Sequence, residues 1–198
     1  MAQLEIIGPV DDAGVMICRM ACIEKGIPHR HRIIAASSRR MSRENPLAAV
    51  PALRHGKVRL FGVRAITSYI DSRFKGRNLL PADPIRAAEV EQWTAAILHR
   101  LDGLMNGSTC PAVIDNPDIS KCLGAINSSI GSKVWLVGRG FTLADMVLMP
   151  AANNLCSNAG HDQVLQHFPA IGLWFAKHAE RRSWQAVKPG ADGAAANA

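Results

Sequence analysis

Two adjacent carboxylates, Asp11 and Asp12, precede the first apolar residues at helical spacing. A carboxylate in that place caps a helix by accepting an amide N–H; at the mouth of a cleft it serves as a general acid or base. A run of guanidinium groups follows, Arg30, Arg32, Arg39, Arg40 and Arg43. Such groups hold carboxylates through paired donors. His29 and His31 offer two ring nitrogens, but no third ligand is near in sequence, so no metal is expected. Cys18 and Cys22, at i and i+4 on an apolar face, read as core, and Cys110, Cys122 and Cys156 have no ligand spacing. His99 is read either as an ordinary helical histidine or as part of a ligand wall. No phosphate-binding glycine loop is present.

The chain has 198 residues and a formal charge of +7, with 48% hydrophobic and 20% charged residues. That balance belongs to a globular protein and excludes collagen-like, mucin-like and disordered chains. Residues 1–80 hold 14 Lys/Arg against 6 Asp/Glu, and residues 81–198 hold 9 against 10, so the whole excess lies in the first part. It has no aromatic interleaving to stack bases, which argues against nucleic acid and for a small-anion site. The five cysteines form no CxxC pair, and the N-terminus lacks a basic region before an apolar run. Reduced thiols and a cytoplasmic location are expected, with no membrane span.

The elements that must position these groups follow from periodicity. Leu4–Ile7 predicts a buried strand ended by Gly8-Pro9, and Val15–Ile23 a helix stopped at Lys25-Gly26. His31–Ala36 predicts a second strand, and 37–45 a surface loop or short helix. Val50–Leu53 and Val58–Phe61 predict a hairpin turning at Arg54–Lys57, followed by a helix over Ala65–Phe74. Beyond the proline-bounded stretch Asn78–Pro84, every periodic segment is helical: 85 onward, then around 118–131, 142–157, 161–167 and 169–180. The domain reading is 1–76, a linker at 77–84, a helical domain at 85–188 and a disordered tail at 189–198. Thr142 and Asp145 are spaced as a capping box, in which the hydroxyl accepts the amide of the third helical residue and the carboxylate reaches back to the cap amide.

Several stretches together resemble the glutathione S-transferases, closest to the phi branch. They are Asn45-Pro46-x-x-x-Val50-Pro51-x-Leu53 with Gly56, then Leu60-Phe61-x-x-Arg64-Ala65-Ile66-x-x-Tyr69-Ile70, and Asn78-Leu79-Leu80-Pro81. Further on come Leu136-Val137-Gly138-x-x-Phe141-Thr142-Leu143-Ala144-Asp145 and Phe168-Pro169…Trp174…Arg182-Ser183-Trp184. The resemblance implies an α/β thioredoxin-like N-terminal domain followed by an all-α C-terminal domain, usually as a homodimer. It implies a cis Val50–Pro51 peptide, since only X–Pro makes the cis form accessible. It also implies that the Val50 backbone and the residue at Val63 hold glutathione. Where the family carries a thiol-activating serine this chain has Asp12, and a carboxylate there raises a thiol's pKa. Where the family has Glu-Ser after Leu-Phe it has Gly62-Val63, and Ala36 and Ser37 stand in place of the family's His-Lys pair. Losing three charge-assisted hydrogen bonds at ~1.5 kcal/mol each weakens glutathione by roughly 4–5 kcal/mol, about a thousandfold.

The expected function is therefore a glutathione S-transferase-like enzyme that takes a small apolar metabolite in the interdomain cleft. Its chemistry is of isomerase, lyase or cyclase type, independent of glutathione, with Asp12 and Asp11 as acid or base. The cleft wall would include Trp93, Ile97, His99, Met105, Met149, Asn153 and Asn154. The alternative is a working transferase for small electrophiles, in which Arg39, Arg40 or Arg43 holds the tripeptide carboxylate beside Val50, Pro51 and Val63 and helix-end amides activate the thiol. A non-catalytic carrier is the second alternative.

Overall fold

In the computed structural model, residues 3–36, 38–105, 116–158 and 161–191 are described. Cys110, Ser37 and the tail beyond residue 191 lie outside them. The chain separates into two units, Met1–Leu79 with Arg182–Ala198, and Leu80–Arg181.

The first unit is built on a four-stranded sheet of order β2-β1-β3-β4. Strand β1 (Leu4–Ile7) is buried along its whole length, with Leu4, Ile6 and Ile7 in the core and the Glu5 carboxylate paired with Arg32 and Arg54. β2 (His29–Arg32) runs parallel to it, from Leu4 opposite His29 to Ile7 opposite Arg32. This moves the second strand back from the expected His31–Ala36. Gly8 donates its amide to the Arg32 carbonyl at 3.1 Å and closes the ladder there. The apolar residues that suggested the later strand lie past its end: Ile34 is buried with Ile7, Met41 and Ala52, while Ile33 is exposed.

β3 (Ala52–His55) and β4 (Val58–Phe61) pair antiparallel, with His55 opposite Val58, so Gly56-Lys57 alone forms the turn. Between β2 and β3 lies a short helix, α2 (Arg39–Ser42), capped by Ser38. Helix α1 (Ala13–Glu24) is buried around nearly its whole circumference. Helix α3 (Val63–Arg73) begins two residues before the expected start. Lys25, the predicted helix stop, has a fully buried side chain. Its ammonium donates to Asp71 Oδ1 at 2.8 Å, to the Asp71 carbonyl at 3.3 Å and to the Arg77 carbonyl at 3.0 Å. Asp71 Oδ1 also accepts the Leu79 amide at 2.9 Å. One buried ion pair thus joins the end of α1, α3 and the segment leaving the unit.

The second unit is helical, with no strand among the described residues. Its helices are α4 (Pro84–Arg100), α5 (Asp102–Met105), α6 (Pro117–Ile130), α7 (Leu143–Asn158), α8 (His161–His167) and α9 (Pro169–His178). Asp83 and Asn116 cap α4 and α6 ahead of Pro84 and Pro117. At the start of α7 the capping box departs from expectation. The Asp145 carboxylate accepts the Thr142 amide at 2.9 Å as expected, but the Thr142 hydroxyl donates to that same carboxylate at 3.0 Å. The other oxygen accepts the Leu136 amide at 2.9 Å. An ionised carboxylate only accepts, so both groups of Thr142 turn to it as donors.

The last short helix, α10 (Arg182–Gln185), returns to the first unit, although the sequence placed residues up to 188 in the helical domain. The Ser183 hydroxyl donates to Glu24 at 2.5 Å and Arg19 donates to the Ala186 carbonyl at 3.3 Å. Trp184 is buried there at 1% exposure.

Candidate functional site

At the Ile7 end of the sheet, three loop segments meet around Gly14. A Cβ placed on Gly14 would lie 2.7 Å from Pro51 Cδ, 3.0 Å from Val63 Cγ2 and 3.1 Å from Asp12 Oδ1. Only a residue without a side chain lets the start of α1, the Val50-Pro51 turn and the start of α3 approach this closely. Gly8 does the same one layer away, where a Cβ would strike Val15 and Val50.

The Val50–Pro51 peptide is cis, as expected. Pro51 offers its carbonyl to the Gly62 amide at 2.9 Å. None of the hydrogen bonds of the described residues engages the Val50 amide or carbonyl. The loop that presents Val50 is clipped by Asn45, a buried side chain that donates to the Ala49 carbonyl at 3.0 Å and accepts the Ala49 amide at 2.9 Å. Val50 also packs against the buried cluster of Ile7, Ile34, Met41 and Ala52. Sequence reading treated Asn45 only as a motif letter and passed over Gly14; the signal for Gly14 was a glycine within the first turn of a helix, where it lowers helix propensity without an obvious return.

Asp12 is the N-cap of α1. Its Oδ1 accepts the Val15 amide at 2.8 Å, and its backbone carbonyl accepts the Met16 amide. Asp12 thus serves as the cap of α1, and Asp11 lies exposed just before it. Burial pushes the Cys18 thiol well above its usual range, with the charges of Cys22 and Asp12 adding to the rise. Burial likewise pushes Cys22 up to about 12. Both cysteines are core residues, as expected.

Gly62 precedes α3 at φ +81°, and no side chain caps that helix. Val63 therefore contributes an amide and an apolar face beside Pro51. Arg39 and Arg40 on α2, and Arg43 just after it, are exposed, and no carboxylate among the described residues pairs with them. Met41, between them, packs in the same cluster as Val50, so α2 belongs to this end of the unit. Arg32 instead reaches Glu5 at 3.2 Å and Glu44 at 3.0 Å.

The residues expected to wall a ligand lie in the second unit. Ile97 and Met149 are at 0% exposure and Met105 at 5%, so these three are core side chains of that unit. Trp93 and Asn153 are half-buried, and His99 is exposed. Asn154 holds the end of α5, donating to the Leu104 and Met105 carbonyls at 2.8 and 3.0 Å. No group of three or more His, Cys, Asp or Glu able to hold a metal occurs among the described residues.

Residues 15–78 match the family model for the glutathione S-transferase N-terminal domain. The chain is 27% identical over 165 residues to glutathione S-transferase F14 of Arabidopsis thaliana, covering 73% of this chain and 64% of that one. It is 28% identical over 158 residues to glutathione S-transferase F12 of the same plant, covering 71% and 73%. The match thus spans a little under two thirds of the first relative's length. Among solved structures, poplar glutathione transferase F1 superposes with a TM-score of 0.79 at 20% identity, covering 98% of this chain and 100% of that one.

Proposed function

Since the chain belongs to the glutathione S-transferase superfamily, on its phi-like side, we propose that it binds a small apolar metabolite at the Val50-Pro51 edge and does so without activating glutathione. The observation that carries this reading is the position of Asp12: a carboxylate, held by the Val15 amide at 2.8 Å, where it borders Pro51 and Val63 around Gly14. A thiol brought beside it meets a negative charge, which favours its protonated form. Cys18 already experiences that effect from Asp12 in the same sense.

The backbone edge remains for recognition. The Val50 amide and carbonyl are open to a polar group of the ligand, and the Val63 amide at the start of α3 favours an oxygen with partial negative charge. Gly62-Val63 supplies no side-chain hydroxyl or charge to strengthen that hold. The chemistry left open requires no thiolate: isomerisation, elimination or ring closure of an apolar substrate. The second reading, a working transferase, is favoured by the exposed Arg39, Arg40 and Arg43, which have no ion pair among the described residues and suit the carboxylate of a peptide ligand. A cytoplasmic homodimer is proposed from the family relation alone. Among the described residues no helix is long and apolar enough to cross a membrane.

A conjugation assay with glutathione and an electrophilic aryl chloride separates the readings. No rate above the uncatalysed background is expected; catalysed turnover would establish the transferase reading instead.

A further inference from the structure

The other end of the same sheet carries a cavity of about 530 Å³, whose described lining residues all belong to the first unit. Leu4 and His29 open β1 and β2 there, and His55, opposite Leu4, closes β3. It therefore lies across the sheet from Pro51. A volume of this order accommodates a small organic ligand.

Its lining is aromatic and cationic. His55 and Phe74 stand with ring centroids 5.4 Å apart, and Tyr69 buttresses both at 6.1 and 6.2 Å. The Tyr69 hydroxyl fixes the His55 ring through Nδ1 at 2.8 Å. His29 is held through Nδ1 by the Ile27 carbonyl at 3.2 Å, and burial lowers its pKa, so its ring is a neutral flat surface. Leu4, Ile27 and Pro28 supply apolar floor. Among the described residues no carboxylate lines the cavity. The Lys25 ammonium is committed to Asp71, whereas Lys75 is exposed and has no ion pair among the described residues. The Arg73 guanidinium lies 5.7 Å from the centroid of the Phe74 ring.

We propose that this cavity binds a small planar aromatic carboxylate, its ring against Phe74, His55 and His29 and its charge at Lys75. Flat rings offer a planar apolar guest both faces and edges, and the unopposed cation selects the acid over a neutral analogue. This site is independent of the function proposed for the Val50-Pro51 edge.

The test is fluorescence titration of the full chain with 2-naphthoate and, in parallel, with neutral 2-naphthamide. Saturable binding of the acid is expected, with Lys75→Glu weakening it about tenfold and leaving the amide within about twofold. Phe74→Ala should weaken both by roughly tenfold, and Lys121→Glu, on an exposed position of the second unit, should change neither. Lys75 is exposed, so its variant reports on binding even if Phe74→Ala folds poorly. No saturation, equal affinity for acid and amide, or acid binding indifferent to Lys75→Glu would overturn the proposal.

Discussion

Asp12 and Gly14 decide what the Pro51 edge can do. Asp12 is a good cap and a poor neighbour for a thiolate, and Ser is an equally good cap without the charge. Asp12→Ser should change stability by less than about 1 kcal/mol while raising any glutathione conjugation rate measured with an aryl chloride. An unchanged rate would remove the carboxylate from the explanation. Gly14→Ala puts a methyl 2.7 Å from Pro51 and should cost about 1–3 kcal/mol in urea unfolding through overpacking. The cis-proline edge was legible in the sequence because its role depends on backbone geometry that Val50-Pro51 announces. Gly14 was not, because its neighbours come from segments far along the chain. Asp12 stood in the sequence with two readings, cap or acid, and the Oδ1 contact with the Val15 amide shows the cap.

Strands and helices were legible where their residues are buried by local pattern, and less so where long-range pairing sets the ends. β1 fell where its apolar run lies. β2 did not, because its parallel register with β1, and not its own hydrophobicity, fixes His29–Arg32. The Lys25–Asp71 pair was invisible for the same reason: 46 residues separate its partners. Asp71→Ala leaves the buried Lys25 ammonium without its counter-charge and should destabilise the protein by about 3–5 kcal/mol. Combining it with Lys25→Met should recover part of that loss in urea unfolding. At the start of α7, burial raises the pKa of Asp145 above its ordinary 3.8, although the Leu136 and Thr142 hydrogen bonds oppose the rise. The folded chain then keeps this proton at pH values where the unfolded chain has lost it. Its contribution to stability is complete below 3.8 and falls as pH rises through the raised value. Asp145→Asn should remove that slope from the unfolding free energy measured across the acid range.

Over the whole molecule, part of the positive charge of the first part is paired and part is left exposed. Glu5 and Glu44 engage Arg32, Arg54 and Arg59 across the sheet. Arg39, Arg40 and Arg43 are left on the exposed side of α2. Exposed cations of the first part thus lie at both ends of the sheet, Arg39, Arg40 and Arg43 beside the Pro51 edge and Lys75 at the opposite cavity. The return of Arg182–Gln185 to the first unit was not legible, because Trp184 reads as ordinary helix core until its neighbours are known. A dimer of the proposed kind would give about twice 21.3 kDa by light scattering. The central claim is that the edge around Gly14 keeps a ligand-binding backbone but no longer supports glutathione. Calorimetric titration of the full chain with glutathione tests it directly. Binding weaker than millimolar, or none, is the expected result; saturable binding tighter than millimolar would contradict it.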